Sequence, residues 1–213
     1  MMSLVRLFVG LSVRFGRACL AALLVGALAG CGSVPLASLW KLRALQLEDL
    51  DPGALRAALV APASLRLNPS SMTLDVTVAR ELPPVNGQTT WETLEEKLPL
   101  EEMRGAAELS PLAGEAGPGL QLHVWRIAPA SLARLQALRS RALGWKGSEG
   151  KRRLGLGLAF EGCQPPGASR SLRVSTLLRF NAQGDYIAVL RDADLATLLP
   201  KEEQARRFPA CAS

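Results

Sequence analysis

Histidine and tyrosine each occur once in these 213 residues, and aromatic residues make up only 5% of the chain. The single histidine, His123, leaves too few ligands for the metal sites built from histidine and cysteine clusters. No G-x-S-x-G is present, so the strand-to-helix serine elbow of the hydrolases is missing. Asp192 and Asp194, in Arg191-Asp192-Ala193-Asp194, have no EF-hand pattern around them, which excludes a calcium loop of that kind. One of the two is expected to cap the short apolar run from Leu195 to Leu199. On a strand from Gly119 to Ile127, His123 shares a face with Gln121 and Trp125, opposite Leu120 and Leu122. It reads there as a partly exposed strand histidine beside a tryptophan. No nucleophile–base pair and no acid–base carboxylate pair can be named, so the chain reads as non-enzymatic, with no catalytic residue, metal or cofactor.

Acidic residues are also absent from the first 30 positions, which carry Arg6, Arg14 and Arg17. The uncharged stretch from Ala18 to Ala29 is too short to span a bilayer, which takes roughly 20 apolar residues. A positive region followed by a short apolar one is the pattern of a cleaved signal. The stretch ends in Leu28-Ala29-Gly30-Cys31, which resembles a lipobox, the site at which bacterial lipoproteins are cleaved and acylated. The resemblance implies cleavage between Gly30 and Cys31, several acyl chains on Cys31, and a stable membrane tether, because each buried methylene contributes roughly 0.8 kcal/mol. Gly32 and Ser33 follow, without the aspartate that marks inner-membrane retention in enteric bacteria. The family rule then places the domain on the periplasmic side of the outer membrane and excludes nucleic acid by location.

Loss of residues 1–30 removes three arginines and no acid, leaving 22 basic against 19 acidic residues, a net charge of +3 rather than +6. Arginine supplies 20 of the 25 basic residues, which looks like GC-rich codon usage and weakens arginine clusters as functional signals. Of the four cysteines, Cys19 lies in the leader and Cys31 is the acylation site. Cys163 and Cys211 remain, an even pair in an oxidising compartment, and are expected to form a disulfide that staples the C-terminal tail to the end of a core strand.

The length after the leader suits one domain, with a short lipidated tether over 31–35 and a globular unit over 36–213. Apolar residues resume at once with Leu36, Leu39, Trp40 and Leu42. Period-two alternation predicts strands at Met72 to Val78, Leu120 to Val124, Leu154 to Phe160 and Leu172 to Phe180. Tyr186 to Leu190 reads as a hairpin partner beyond the turn from Asn181 to Asp185. Leu55 to Val60 adds a strand entered through Asp51-Pro52-Gly53. Trp91 to Glu102 fits a strand or a short helix and is assigned as strand. One segment has helical period: Ser131 as cap, Leu132, Leu135, Leu138 and Ala142 on one stripe, Pro129 before and Gly144 behind. The expected fold is mainly β, a β-sandwich-like arrangement of antiparallel sheets with one inserted amphipathic helix; α+β is the alternative.

Arg134, Arg139, Arg141, Lys146, Lys151, Arg152 and Arg153 form the one basic group after the leader. Arg134 and Arg141 share a helix face, and Lys151-Arg152-Arg153 follows in a Gly-flanked loop. Near a membrane such a patch can meet anionic head groups, each basic residue adding about 1 kcal/mol. The plain alternative is a solvated helix face, and a third reading is pairing with the acidic block Glu92, Glu95, Glu96, Glu101 and Glu102. Among the tryptophans, Trp145 is the one expected at an exposed contact surface.

Leu50-Asp51-Pro52 before Ala54-Leu55-Arg56, Ala128-Pro129 before the helix, Cys163, Val174-Ser175-Thr176 and Arg191-Asp192-Ala193-Asp194-Leu195 together resemble uncharacterised lipoproteins of proteobacteria. That resemblance implies a single domain over much of residues 40–200 and no particular activity. The expected role is a lipid-anchored interaction or structural module of the envelope with a protein partner. The alternatives are a binding protein for lipid or another amphiphile, and an accessory lipoprotein of a secretion or envelope-assembly machine.

Overall fold

A computed structural model describes residues 50–212, apart from 85, 148, 149, 169 and 170. The expected signal segment 1–30, the expected acylation site Cys31, the expected tether 31–35 and the apolar stretch from Leu36 to Leu42 lie outside the described residues. In chain order the strands are β1 (Arg56–Pro62), β2 (Arg66–Leu67), β3 (Thr73–Glu81), β4 (Trp91–Met103), β5 (Leu120–Ile127), β6 (Arg152–Ala159), β7 (Gly162–Cys163), β8 (Arg173–Arg179) and β9 (Ile187–Asp194). The helices are α1 (Ala106–Leu109), α2 (Pro129–Leu143), α3 (Leu195–Leu198) and α4 (Lys201–Arg207). Seven strands form one antiparallel sheet in the order β6-β3-β4-β5-β1-β8-β9, and β2 pairs separately with β7.

Alternation explains most of this. Leu74, Val76 and Val78 of β3 are buried while Thr73, Asp75 and Thr77 lie on the other face, as a half-buried strand requires. The central strand β1 has no polar face. Ala57, Leu59 and Ala61 enter the main core, whereas Ala58 and Val60 meet Leu112, Val124, Leu177 and Ala188 in a smaller cluster behind the sheet. A strand covered on both sides reads as an unbroken apolar run, and Ala-Ala-Leu-Val-Ala is one.

The assignment of Trp91 to Glu102 as strand agrees with the structure, and β4 turns out to organise the sheet. Residues 91–99 pair with β3 and residues 100–103 pair with β5. The change of partner falls at Pro99, which has no N–H to give to a ladder. Its carbonyl accepts from the Ala128 N–H at 3.0 Å, and the Leu100 N–H donates to Met72 at 2.9 Å. The sheet curls about this point, so inner-face residues of β3, β4, β5, β1 and β8 share one core. The arrangement is sandwich-like in that two halves face each other, but both halves belong to one continuous sheet.

Helix α2 closes the core with Leu135, Leu138 and Ala142. Its start differs from expectation. Ala128 is the N-cap and Pro129 the first helical residue, while Ser131 is buried inside the first turn. Proline is preset for that first position and its missing N–H is not needed there, so the helix begins three residues earlier than a serine cap implies. Trp145 is also a correction. The turn after α2 carries it into the core, 7% exposed, with the Arg80 guanidinium 5.0 Å over its ring.

The predicted Cys163–Cys211 pair is present, with sulfurs 2.08 Å and Cα atoms 4.9 Å apart. It does staple the tail. The Gln164 N–H donates to Pro209, the Cys211 N–H donates to Gln164, and Phe208 packs against Phe160 with ring centroids 5.5 Å apart. Helix α4 was not anticipated by apolar periodicity because it is almost wholly charged. Its signal was electrostatic: Glu202 and Glu203 in the first turn and Arg206 and Arg207 in the last, each sign at the favourable dipole end.

Candidate functional site

Strand β4 runs out at Met103, opposite Val124, so the first residues of β5 extend past it on that side. Gln121, His123 and Trp125 alternate along β5 onto the core-facing side, and Glu102 lies in register with Trp125. The β2 segment covers this end, leaving a half-open cleft of about 380 Å³. Five lining residues are apolar, namely Ala63, Leu65, Leu67, Pro69 and Trp125, and five are polar or charged, namely Arg66, Glu102, Arg104, Gln121 and His123.

The polar half is ordered by one carboxylate. Glu102 Oε1 lies 2.8 Å from His123 Nδ1, and its Oε2 accepts from Arg104 Nε at 2.9 Å. A carboxylate only accepts, so Nδ1 carries the hydrogen and Nε2 is the ring nitrogen left for a ligand. Burial pushes the Glu102 carboxyl up, but hydrogen bonds from His123 and Arg104, with their charges, outweigh it and hold the group below the ordinary carboxylate range. His123 is stacked on Trp125, with centroids 5.5 Å apart and planes 17° from parallel. The Trp125 Nε1 is buried without a hydrogen-bond partner among the described residues. Gln121 reaches the Ala63 carbonyl at 3.5 Å, tying β5 to the covering segment.

Arg66 differs from most arginines of the domain. Arg56, Arg80, Arg104, Arg126, Arg134, Arg173, Arg179 and Arg191 all pair with carboxylates. Arg66 is exposed at the cleft and has no ion-pair partner among the described residues. With Arg66 and Arg104 against Glu102, the cleft carries one net positive charge while the imidazole is neutral. The lining includes no hydroxyl, thiol or amine among the described residues, so the His123–Glu102 pair has no nucleophile beside it to activate. The arrangement is suited to holding an anionic or hydrogen-bonding group.

His123 thus sits where the alternation placed it, on the face of Gln121 and Trp125. Its partner Glu102 lies 21 residues away and carries no sequence signal, because the contact depends on β4 and β5 being neighbours. The basic group divides between partnered and exposed side chains. Arg134 pairs with Glu96 and also donates to the Lys97 carbonyl, and Arg153 lies 4.0 Å over the Trp91 ring. Arg141, Lys151 and Arg152 are exposed. Four residues of the acidic block on β4 have partners, Glu92 with Arg80, Glu96 with Arg134 of the basic group, Glu101 with Arg126, and Glu102 with His123 and Arg104, while Glu95 is exposed. Of the two aspartates, Asp194 is the cap, accepting from the Ala196 N–H at 3.0 Å, while Asp192 pairs with Arg173.

A second hollow of about 250 Å³ lies behind the sheet, between Leu112, Leu177, Arg179 and Tyr186. The Arg179 guanidinium sits 5.3 Å over the Tyr186 ring, and both Arg179 Nε and the Tyr186 hydroxyl are buried without hydrogen-bond partners among the described residues. Burial pushes the Tyr186 phenol up; Arg179 opposes that and Glu108 adds to it. Its charged lining, Arg179 and Arg191 against Glu115 and Asp185, is balanced, so it lacks the net charge of the cleft. Among the described residues no group of three or more histidines, cysteines or carboxylates is placed to hold a metal ion. Nor is any helix long and apolar enough there to cross a membrane. Comparison with known proteins returns no match: no family model, no curated protein and no solved structure matches this chain.

Proposed function

We propose that the chain is an envelope lipoprotein, cleaved after Gly30 and acylated on Cys31. Its globular domain works as a non-enzymatic interaction module on the periplasmic side of the outer membrane. The observation that supports a contact role is the cleft at His123, where an Arg66 without an ion-pair partner among the described residues and an ordered Glu102–His123–Arg104 group stand beside apolar side chains. The tether argues for work close to the bilayer. Eighteen residues lie between Cys31 and Leu50, and at roughly 3.3–3.6 Å per residue even a fully extended segment reaches only about 65 Å.

The test compares wild type with Cys31→Ser by membrane fractionation and electrophoretic mobility, and crosslinks both in cells from a photoreactive residue at position 121 beside the cleft. Membrane release or an altered mobility in the variant supports the anchor. A defined adduct from position 121, lost in the variant, supports the tethered module. Unchanged fractionation and mobility would remove the lipoprotein reading.

A further inference from the structure

The structure assigns to the His123 cleft a ligand of stated chemistry: an amphiphile with one anionic head group, carboxylate or phosphate, and a short apolar tail. The inference rests on the reading of the cleft as the contact site. The charge argument is local. Arg66 is the cleft cation left without a carboxylate among the described residues, and the side chain of Arg104 is 82% exposed although one edge is tied to Glu102. Glu102 is already occupied by His123 and Arg104, so it does not neutralise Arg66 as well. An anionic oxygen is therefore the complement of the polar half, and a hydrogen bond between ionised partners is about twice as strong as a neutral one. His123 Nε2 remains for a second oxygen of the same head group, donating when the ring is protonated and accepting from a ligand hydroxyl when it is neutral.

The apolar half sets the rest of the ligand. Trp125 and Leu65 form buried walls, and Leu67 and Pro69 line the same space. A purely ionic ligand would leave these side chains uncovered, and a purely apolar one would bury the Arg66 charge without a partner, which is costly. About 380 Å³ lies at the lower end of the range for small-molecule sites, so the cleft takes a head group and the first part of a chain rather than a whole lipid.

His123 is the only histidine, so its imidazole is a site-specific reporter within the cleft. The experiment uses full-length acylated protein, labelled with ¹³C-histidine, carrying a histidine-free tag and held in phosphatidylcholine nanodiscs. It is titrated with octyl phosphate, octanoate, octanol or inorganic phosphate. At least one of the two anionic amphiphiles is expected to shift the single imidazole resonance saturably, and their relative affinities identify the head group. Octanol and inorganic phosphate are expected to need at least tenfold higher concentration, and Arg66→Glu to weaken binding tenfold or more. Arg66 is exposed, so the variant should keep the wild-type unfolding midpoint; Arg104→Ala provides a second, milder charge removal.

Equal binding of octanol and the anionic amphiphiles, or an Arg66→Glu variant that binds like wild type, would overturn the assignment. So would the lack of any saturable shift. If the shift is lacking while position 121 still yields a defined protein adduct that Arg66→Glu abolishes, the cleft is a protein contact and only the ligand class falls. If both are lacking, the contact-site reading falls with it.

Discussion

Glu102 and Asp194 show how single carboxylates acquire distinct roles from their hydrogen bonds. Asp194 accepts from the Ala196 N–H, from the Ser171 hydroxyl and from the Leu172 N–H, and these donors hold it below the ordinary carboxylate range despite some burial. It caps α3 and ties that helix to the start of β8. Asp194→Ala should therefore lower stability by about 1 kcal/mol, and Asp194→Asn by less, in urea unfolding at neutral pH. Both carboxyls titrate lower when folded than when unfolded. Their stabilisation is present above the unfolded value, near 4, and is lost as pH falls through the folded value. Glu102→Gln removes one of these groups, so its unfolding midpoint should depend less steeply on pH below about 4.5 than that of wild type. An equally steep acid limb would show that the His123–Arg104 partnership does not persist in solution.

The element that organises the molecule is β4. Leu94, Leu98 and Leu100 are of one parity and buried, and Glu96, of the same parity, is partly covered and paired with Arg134 of α2. Glu95 points the other way and is exposed. Leu98→Ala should cost about 2–5 kcal/mol by cavity formation, whereas Glu95→Ala should stay within about 0.5 kcal/mol. Chemical denaturation of the pair checks the strand parity directly, since a helix over 91–98 would put positions 95 and 98, three apart, on one face. The sequence offers helix or strand over Trp91 to Glu102, and Pro99 would end a helix there. Its tertiary role, passing the strand from β3 to β5 and so curling the sheet, depends on which strands lie on either side.

On the scale of the molecule, the curled sheet leaves two ends to secure: α2 covers the core, and the Cys163–Cys211 bridge holds the tail. The bridge closes a loop with a sequence separation of 48, which in the chain-entropy model stabilises by about 4 kcal/mol. Cys163→Ser or Cys211→Ser should show a loss of roughly 2–5 kcal/mol in denaturant unfolding. Thiol labelling of the mature protein, denatured without reductant, should find neither residue. The tail also carries Phe208 onto Phe160, so the variants test stapling and packing together.

Local pattern alone determined the longer strands, the body of the long helix, the turn at Asp51-Pro52-Gly53, a cap at one of Asp192 and Asp194, and the pairing of Cys163 with Cys211. Each follows from alternation, turn chemistry or counting, and needs no knowledge of which segments become neighbours. Tertiary structure decided what depends on neighbours. It made one curled seven-stranded sheet rather than two packed ones, buried Trp145 under Arg80, spread four carboxylates of the acidic block among separate cations and set Glu102 against His123. The physical reason is range. Strand and helix periods act over a few residues, whereas a charge pair 21 residues apart in sequence exists only because β4 and β5 lie side by side.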